Sequence, residues 1–217
     1  MNLNSDSELH KPVTQDSIDS VPKLSLFNDE DMNVRHQQAA KDLLIEVKSH
    51  EGLPAGTEFS IRYDKDMFGI AGEKYREGVV DSVKISDYGA PFHAFHNHGS
   101  DETLSFGDIF TLTRVDNMQS LTAVGNGGSI YSLVKKPKCD SQGYNHFLIE
   151  KATETIFKVG KTDVNYLLIS NTEKWKPIEM TLTQAQLAEL RSNLASLGFE
   201  CAEGGKKYGY EFKYQKT

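Results

Sequence analysis

Between Ala90 and Phe110 the chain passes from an apolar, aromatic run, Ala90-Pro91-Phe92-His93-Ala94-Phe95, through His96-Asn97-His98 and on to Ser105-Phe106-Gly107-Asp108. Aromatic residues favour a strand over a helix here, and that choice decides what two histidines one residue apart can do. On a strand, side chains at i and i+2 leave the same face, about 6.6 Å apart along the chain at roughly 3.3 Å per residue. His96 and His98 then converge on one ion. After the turn Gly99-Ser100-Asp101, Ser105 reads as the N-cap of a helix starting at Phe106, which puts Asp108 in the first turn. Two imidazoles and a carboxylate make a three-ligand zinc set with a fourth position left open. Ser-x-x-Asp also has a purely local reading as a capping box, and His-x-His can be a hydrogen-bonded structural pair. Capping accounts for Ser105 and Asp108 but gives no reason for two same-face histidines upstream.

The succession of His-x-His, a short loop and Ser-x-x-Asp resembles the JAMM (JAB/MPN-type) zinc metalloproteases. The loop from His98 to Ser105 is one residue shorter than in the commonest version, and Gly99 stands where a proline is usual. In this the chain is more similar to the JAB-like domains of phage head-morphogenesis proteins and polymorphic toxins than to eukaryotic deubiquitinases. The resemblance implies Zn²⁺ on His96, His98 and Asp108, and hydrolysis of a peptide or isopeptide bond in a protein or peptide substrate. It also implies a catalytic Glu on an earlier strand, where Glu58 fits best: it opens Glu58-Phe59-Ser60-Ile61-Arg62-Tyr63-Asp64, an alternating run that reads as a half-buried strand. Its rivals Glu73 and Glu77 lie in a charged stretch that reads as a solvated turn. Glu58 would take a proton from water and pass it to the leaving amine. Ser105 would donate to the oxyanion, which requires that its backbone rather than its hydroxyl serve the helix start. Asn97 points to the opposite strand face and is assigned a structural role, and His93 has the wrong parity to join His96. The alternative on the same fold is a non-catalytic protein-binding scaffold, phage- or toxin-associated.

Other site classes lack their residues. In HNH nucleases the three letters are dispersed over a ββα unit rather than adjacent. Zinc deaminases need His-x-Glu with Pro-Cys-x-x-Cys, and this chain has only Cys139 and Cys201, far apart. Val124-Gly125-Asn126-Gly127-Gly128-Ser129 lies between two β-like runs and reads as a hairpin turn rather than a phosphate loop.

At 217 residues the chain can hold one full core. Residues 1–32 carry seven acidic and two basic side chains, −5 of the chain's −7, and little apolar periodicity, so they read as a mobile acidic tail. The near-neutral remainder offers no electrostatic footprint for nucleic acid. No apolar run is long enough to span a membrane and no signal-peptide pattern opens the chain, which predicts a cytoplasmic protein with reduced cysteines. Ala39, Leu43, Leu44 and Val47 predict a helix over about 33–49. Strands follow near 58–64, within 79–86 and at 91–98, then the helix from 106 and a hairpin of 121–124 with 129–134. The sum is an α/β (α+β) fold, a mixed β-sheet flanked by helices. The resemblance implies JAB/MPN-like, cytidine-deaminase-like layering for roughly 35–135. The expected organisation is a tail (1–32), a metal-binding core (33–138) and a C-terminal α/β extension packed on it (139–217). In that extension, 144–160 reads as a helix, and Thr183 with Gln186 caps a leucine stripe that ends before Gly198. From Phe199 the chain reads as strand material, with Tyr208, Tyr210, Phe212 and Tyr214 forming a packed face.

Overall fold

The computed structural model describes residues 10–50, 52–54, 56–80, 82–159 and 196–217. Helices α1 (Gln15–Ser20) and α2 (Glu30–Ser49) lead into strands β1 (Thr57–Asp64), β2 (Arg76–Val80) and β3 (Phe92–His98). Helix α3 (Phe106–Arg114), the hairpin β4 (Met118–Gly125) and β5 (Ile130–Lys135), helix α4 (Ser141–Val159) and strand β6 (Tyr210–Gln215) follow. The strands form a six-stranded mixed sheet in the order β2-β1-β3-β4-β5-β6. Its one parallel pair is β3 with β4, and α3 supplies the crossover such a pair requires. The fold is thus the mixed α/β sheet flanked by helices that the alternation of patterns predicts.

Each face of the sheet carries its own core. Phe92, Ala94, Leu121, Ala123, Tyr131 and Leu133 pack under α3 and α4, whereas Phe59, Ile61, Phe95, Val124 and Ile130 pack under α1 and α2. Strand β3 lies between β1 and β4 and is buried along its whole length, which explains why it is aromatic on both parities. Helix α2 is capped by Asp29, whose side chain accepts the Asp31 and Met32 N–H groups, and it lays Ala39, Ala40, Leu43 and Leu44 on the sheet at helical spacing.

On that stripe sits a buried polar layer. His36 Nε2 lies 2.9 Å from Thr122 Oγ1 and 3.3 Å from Ser132 Oγ, and His93 Nδ1 lies 2.7 Å from Ser120 Oγ. Burial, seconded by neighbouring His93, pushes the His36 pKa from its ordinary 6.5 down to about 3. Below pH 6.5 the unfolded chain therefore binds a proton that the folded one refuses, so this contribution to stability is complete above pH 6.5 and is lost as pH falls toward 3. The expected loss is about 1.4 kcal/mol per pH unit. Urea unfolding between pH 4 and 7 checks it: His36→Gln should flatten the slope by about one proton, and an unchanged slope would show that His36 is not the group involved.

The structure departs from the sequence reading at four places. Residues 10–32 are not a tail: Thr14 caps α1 with a full capping box, and Ile18, Val21, Leu24 and Leu26 are buried on the α2 face of the sheet. Their spacing follows an extended path across a surface, so it matches neither helical nor strand periodicity. Residues 1–9 lie outside the described residues. The strand expected within 79–86 is displaced to Arg76–Val80, because Ser60 pairs with Arg76 and Val79 exchanges backbone hydrogen bonds with Ser82 in a tight reversal. Residues 196–204 are helical, so Phe199 is not strand material; it packs edge-on against Phe212 and Tyr214, with ring centroids 5.7 and 5.2 Å apart. The helix runs through Gly198, and a Cβ there would meet the Leu104 carbonyl, so the close approach calls for glycine. The C-terminal part is also more than packed on the core, since β6 pairs with β5 over six residues. The Thr183 cap and Leu187, Leu190 and Leu194 lie outside the described residues. No helix among the described residues is long and apolar enough to cross a membrane.

Candidate metal centre

The alternation of β3 sends Phe92, Ala94, His96 and His98 to the α3 face and His93, Phe95 and Asn97 to the α2 face. Packing agrees, since Phe92 and Ala94 lie in the core under α3 and Phe95 in the core under α2. His93 accordingly contacts Ser120 and the Lys65 carbonyl and takes no part in the site. Ser105 caps α3 with both halves of a capping box, so Asp108 is held in the first turn with its carboxylate turned back toward β3.

The outcome is a cluster in which both Asp108 oxygens and the two imidazoles face one another. His96 Nε2 and His98 Nε2 are 2.9 Å apart, His96 Nε2 lies 3.2 Å from Asp108 Oδ1, and His98 Nε2 lies 3.3 Å from Asp108 Oδ2. Ligands about 2.0–2.1 Å from a tetrahedral zinc are separated by about 3.3 Å, and one donor atom from each of the three residues lies within 4.8 Å of the others. His96 is 1% exposed and His98 8%. The second nitrogen of His98 is tied to the Glu102 carbonyl at 3.2 Å, which fixes the ring. His96 Nδ1 is buried without a hydrogen-bond partner.

The electrostatics fit a cation. Burial alone would lower the His98 pKa, but the hydrogen bond and charge of Asp108, the charge of Glu58 and the Glu102 carbonyl outweigh it and raise the value to about 9. Burial likewise disfavours the Asp108 carboxylate, yet His96 and His98 hold its pKa well below the usual carboxylate range. The pocket is therefore built to stabilise positive charge between two imidazoles and a carboxylate. Two imidazoles and a carboxylate are a donor set that could hold a divalent ion with nitrogen and oxygen preferences.

Glu58 is 7% exposed and has the parity of Ser60 and Arg62, opposite to Phe59 and Ile61, which pack toward α2. Its carboxylate acts on His98, so β1 brings it to the metal side of the sheet. The rivals are elsewhere. Both Glu73 oxygens are held by Arg62 at 2.8 Å, and Glu77 is exposed on the edge strand β2.

Ser105 is the one site residue whose local bonding differs from expectation. Its hydroxyl donates to Asp108 Oδ2 at 2.7 Å and accepts the Asp108 N–H at 3.1 Å, while its own N–H donates to the same oxygen at 2.7 Å. The hydroxyl as well as the backbone therefore serves the helix start, because the ligand and the N3 residue of the capping box are the same aspartate.

Two supports of the site went unread in the sequence. Gly198 seats the 196–204 helix directly on Leu104 and Ser105, buttressing the loop that leads into α3 and Asp108. The signal was there: the apolar stripe continues past Gly198 through Cys201 and Ala202. His10 packs against Gly56 and Gly99, where an added Cβ would stand 2.6 Å from its ring, and Lys11 N–H donates to the Gly99 carbonyl at 2.8 Å. The N-terminal segment thus clamps the residue after His98 to the turn before Glu58. Cys139 and Cys201 are both free thiols. No protein-family profile, curated protein or solved structure matches the chain.

Proposed function

We propose that this protein is a zinc-dependent metallopeptidase of JAMM type, a hydrolase of peptide or isopeptide bonds acting on a protein or peptide in the cytoplasm. The observation that carries the reading is the cluster of His96 Nε2, His98 Nε2 and both Asp108 oxygens, with contacts of 2.9–3.3 Å, and a buried carboxylate, Glu58, on the same side of the sheet. His96, His98 and Asp108 would hold the zinc, which would supply Lewis acidity to a water and to the scissile carbonyl.

The chain's own residues perform the proton transfers. Glu58 accepts the proton of the attacking water and delivers it to the leaving amine, as a general base and then a general acid. His96 and His98 would hold the metal as neutral imidazoles. For Ser105 to donate to the oxyanion, its O–H swings off Asp108 Oδ2. The Ser105 N–H remains bonded to that oxygen and keeps the ligand in place meanwhile.

Elemental analysis of the purified protein, before and after chelation and zinc readdition, tests the centre. About one zinc per chain is expected, and His96→Ala should lose it. Protein that is metal-free and takes up no zinc at neutral pH would end the metallopeptidase reading. Zinc-loaded protein that cleaves nothing in a broad peptide and isopeptide library would leave a binding scaffold in its place.

A further inference from the structure

The pairing of β1 with β3 stops short of the metal end of the sheet. Its last partners are Ser60 and His96, although β3 continues against β4 as far as His98 and Gly125. On its other side, β1 changes register with β2 between Thr57 and Phe59. Glu58 therefore sits where β1 loses regular support from both neighbours. Regular backbone pairing would set residues 58 and 98 side by side at about 4.5–5.5 Å between Cα atoms, which leaves little room for a metal and a water between their side chains.

The missing ladder is replaced by one side chain. Asn97 Oδ1 accepts the Phe59 N–H at 2.6 Å, and Asn97 Nδ2 donates to the Thr57 carbonyl at 3.4 Å. The carboxamide thus holds the two peptide groups on either side of Glu58, in the manner of a backbone partner one side chain further out. Its second amide hydrogen goes to Asn126 Oδ1 at 3.1 Å. Asn126 is itself fixed by its N–H to the His98 carbonyl at 3.0 Å and by Nδ2 to the Lys11 carbonyl at 2.8 Å. Asn97 is fully buried, and a carboxamide left half-bonded in that position would cost about 1–3 kcal/mol, so its geometry is tightly specified.

We infer that Asn97 is a positioning residue for the base: through Thr57 and Phe59 it sets the distance and orientation of the Glu58 carboxylate relative to the metal held by His96 and His98. This inference rests on the reading of Glu58 as the base. It gives the middle residue of His-Asn-His a task that a purely structural assignment does not require, since any well-packed side chain on the α2 face would fill the space.

The full chain loaded with Co²⁺ in place of zinc provides the test, because the visible absorption of cobalt reports the surroundings of its open position without a substrate. Glu58→Gln is expected to move the pH midpoint of that spectrum by about one unit, as loss of an adjacent charge does. Asn97→Ala should move it in the same direction while one cobalt per chain stays bound, and adding Asn97→Ala to Glu58→Gln should produce no further movement, the signature of a residue acting through another. Asn126→Ala, which loosens the carboxamide from its far side, should give a smaller movement of the same sign and serves if Asn97→Ala does not fold. An Asn97→Ala spectrum that titrates as wild type while melting temperature drops would overturn the inference and leave Asn97 a packing residue. A Glu58→Gln spectrum that titrates as wild type would instead remove the base, and the inference with it.

Discussion

Glu58→Gln is expected to leave about one zinc bound per chain while hydrolysis falls by about 10²–10⁴-fold, the usual contribution of a positioned acid–base group. The substitution keeps size and most hydrogen bonding and removes only the basic carboxylate. Because Glu58 lies on β1 and the three candidate ligands on β3 and α3, binding and turnover should separate cleanly. Mass spectrometry of products from a peptide and isopeptide library gives the turnover, and elemental analysis of the same sample gives the metal. Wild-type turnover in Glu58→Gln, with loss in Glu73→Gln, would transfer the base to Glu73. The structure argues against that outcome, since Arg62 holds both Glu73 oxygens.

Removal of residues 1–28 is expected to unfold the protein. The segment buries Ile18, Val21, Leu24 and Leu26, and at about 1.5–3 kcal/mol for each buried side chain the loss is comparable to the entire stability of an ordinary domain, about 5–15 kcal/mol. Truncation also strips Asn33, 2% exposed, of the Leu26 and Phe27 N–H groups that its Oδ1 accepts, and it removes the Lys11 contact with Gly99 beside His98. Circular dichroism and thermal melting decide the matter. Leu24→Ala provides a milder version, expected to cost about 2–5 kcal/mol. A truncated chain that melts within a few degrees of the full one would mean that the segment's burial contributes little.

The two expectations differ in how far the sequence alone supports them. His96 and His98 share a face because strand parity is a property of adjacent residues, and Ser105 caps α3 because N-cap geometry is settled within four residues. The clustering of His96, His98 and Asp108 was legible for that reason, and so were α2, β3 and the β4–β5 hairpin, whose periodicity or turn residues are local. Glu58 was preferred over Glu73 by its alternation with Phe59 and Ile61, whereas the Arg62 ion pair that holds Glu73 joins residues distant in the chain and is visible only in the fold.

The N-terminal segment shows the limit most plainly. Net charge and the lack of a period made residues 10–32 look like a solvated tail, yet Ile18, Val21, Leu24 and Leu26 are buried because the sheet face beneath them offers apolar surface that no local pattern reveals. Gly198 is the converse case. By helical propensity it ends a helix, but the helix continues through it, and the approach of Leu104 calls for a residue without a Cβ. Local dihedral and capping preferences, which act over a few residues, were determined by the sequence itself. The hydrogen bonds of Asn97 to the peptides flanking Glu58, the buttress at Gly198 and the clamp at His10 were decided only by tertiary structure, because each depends on surfaces that meet only once the chain has folded.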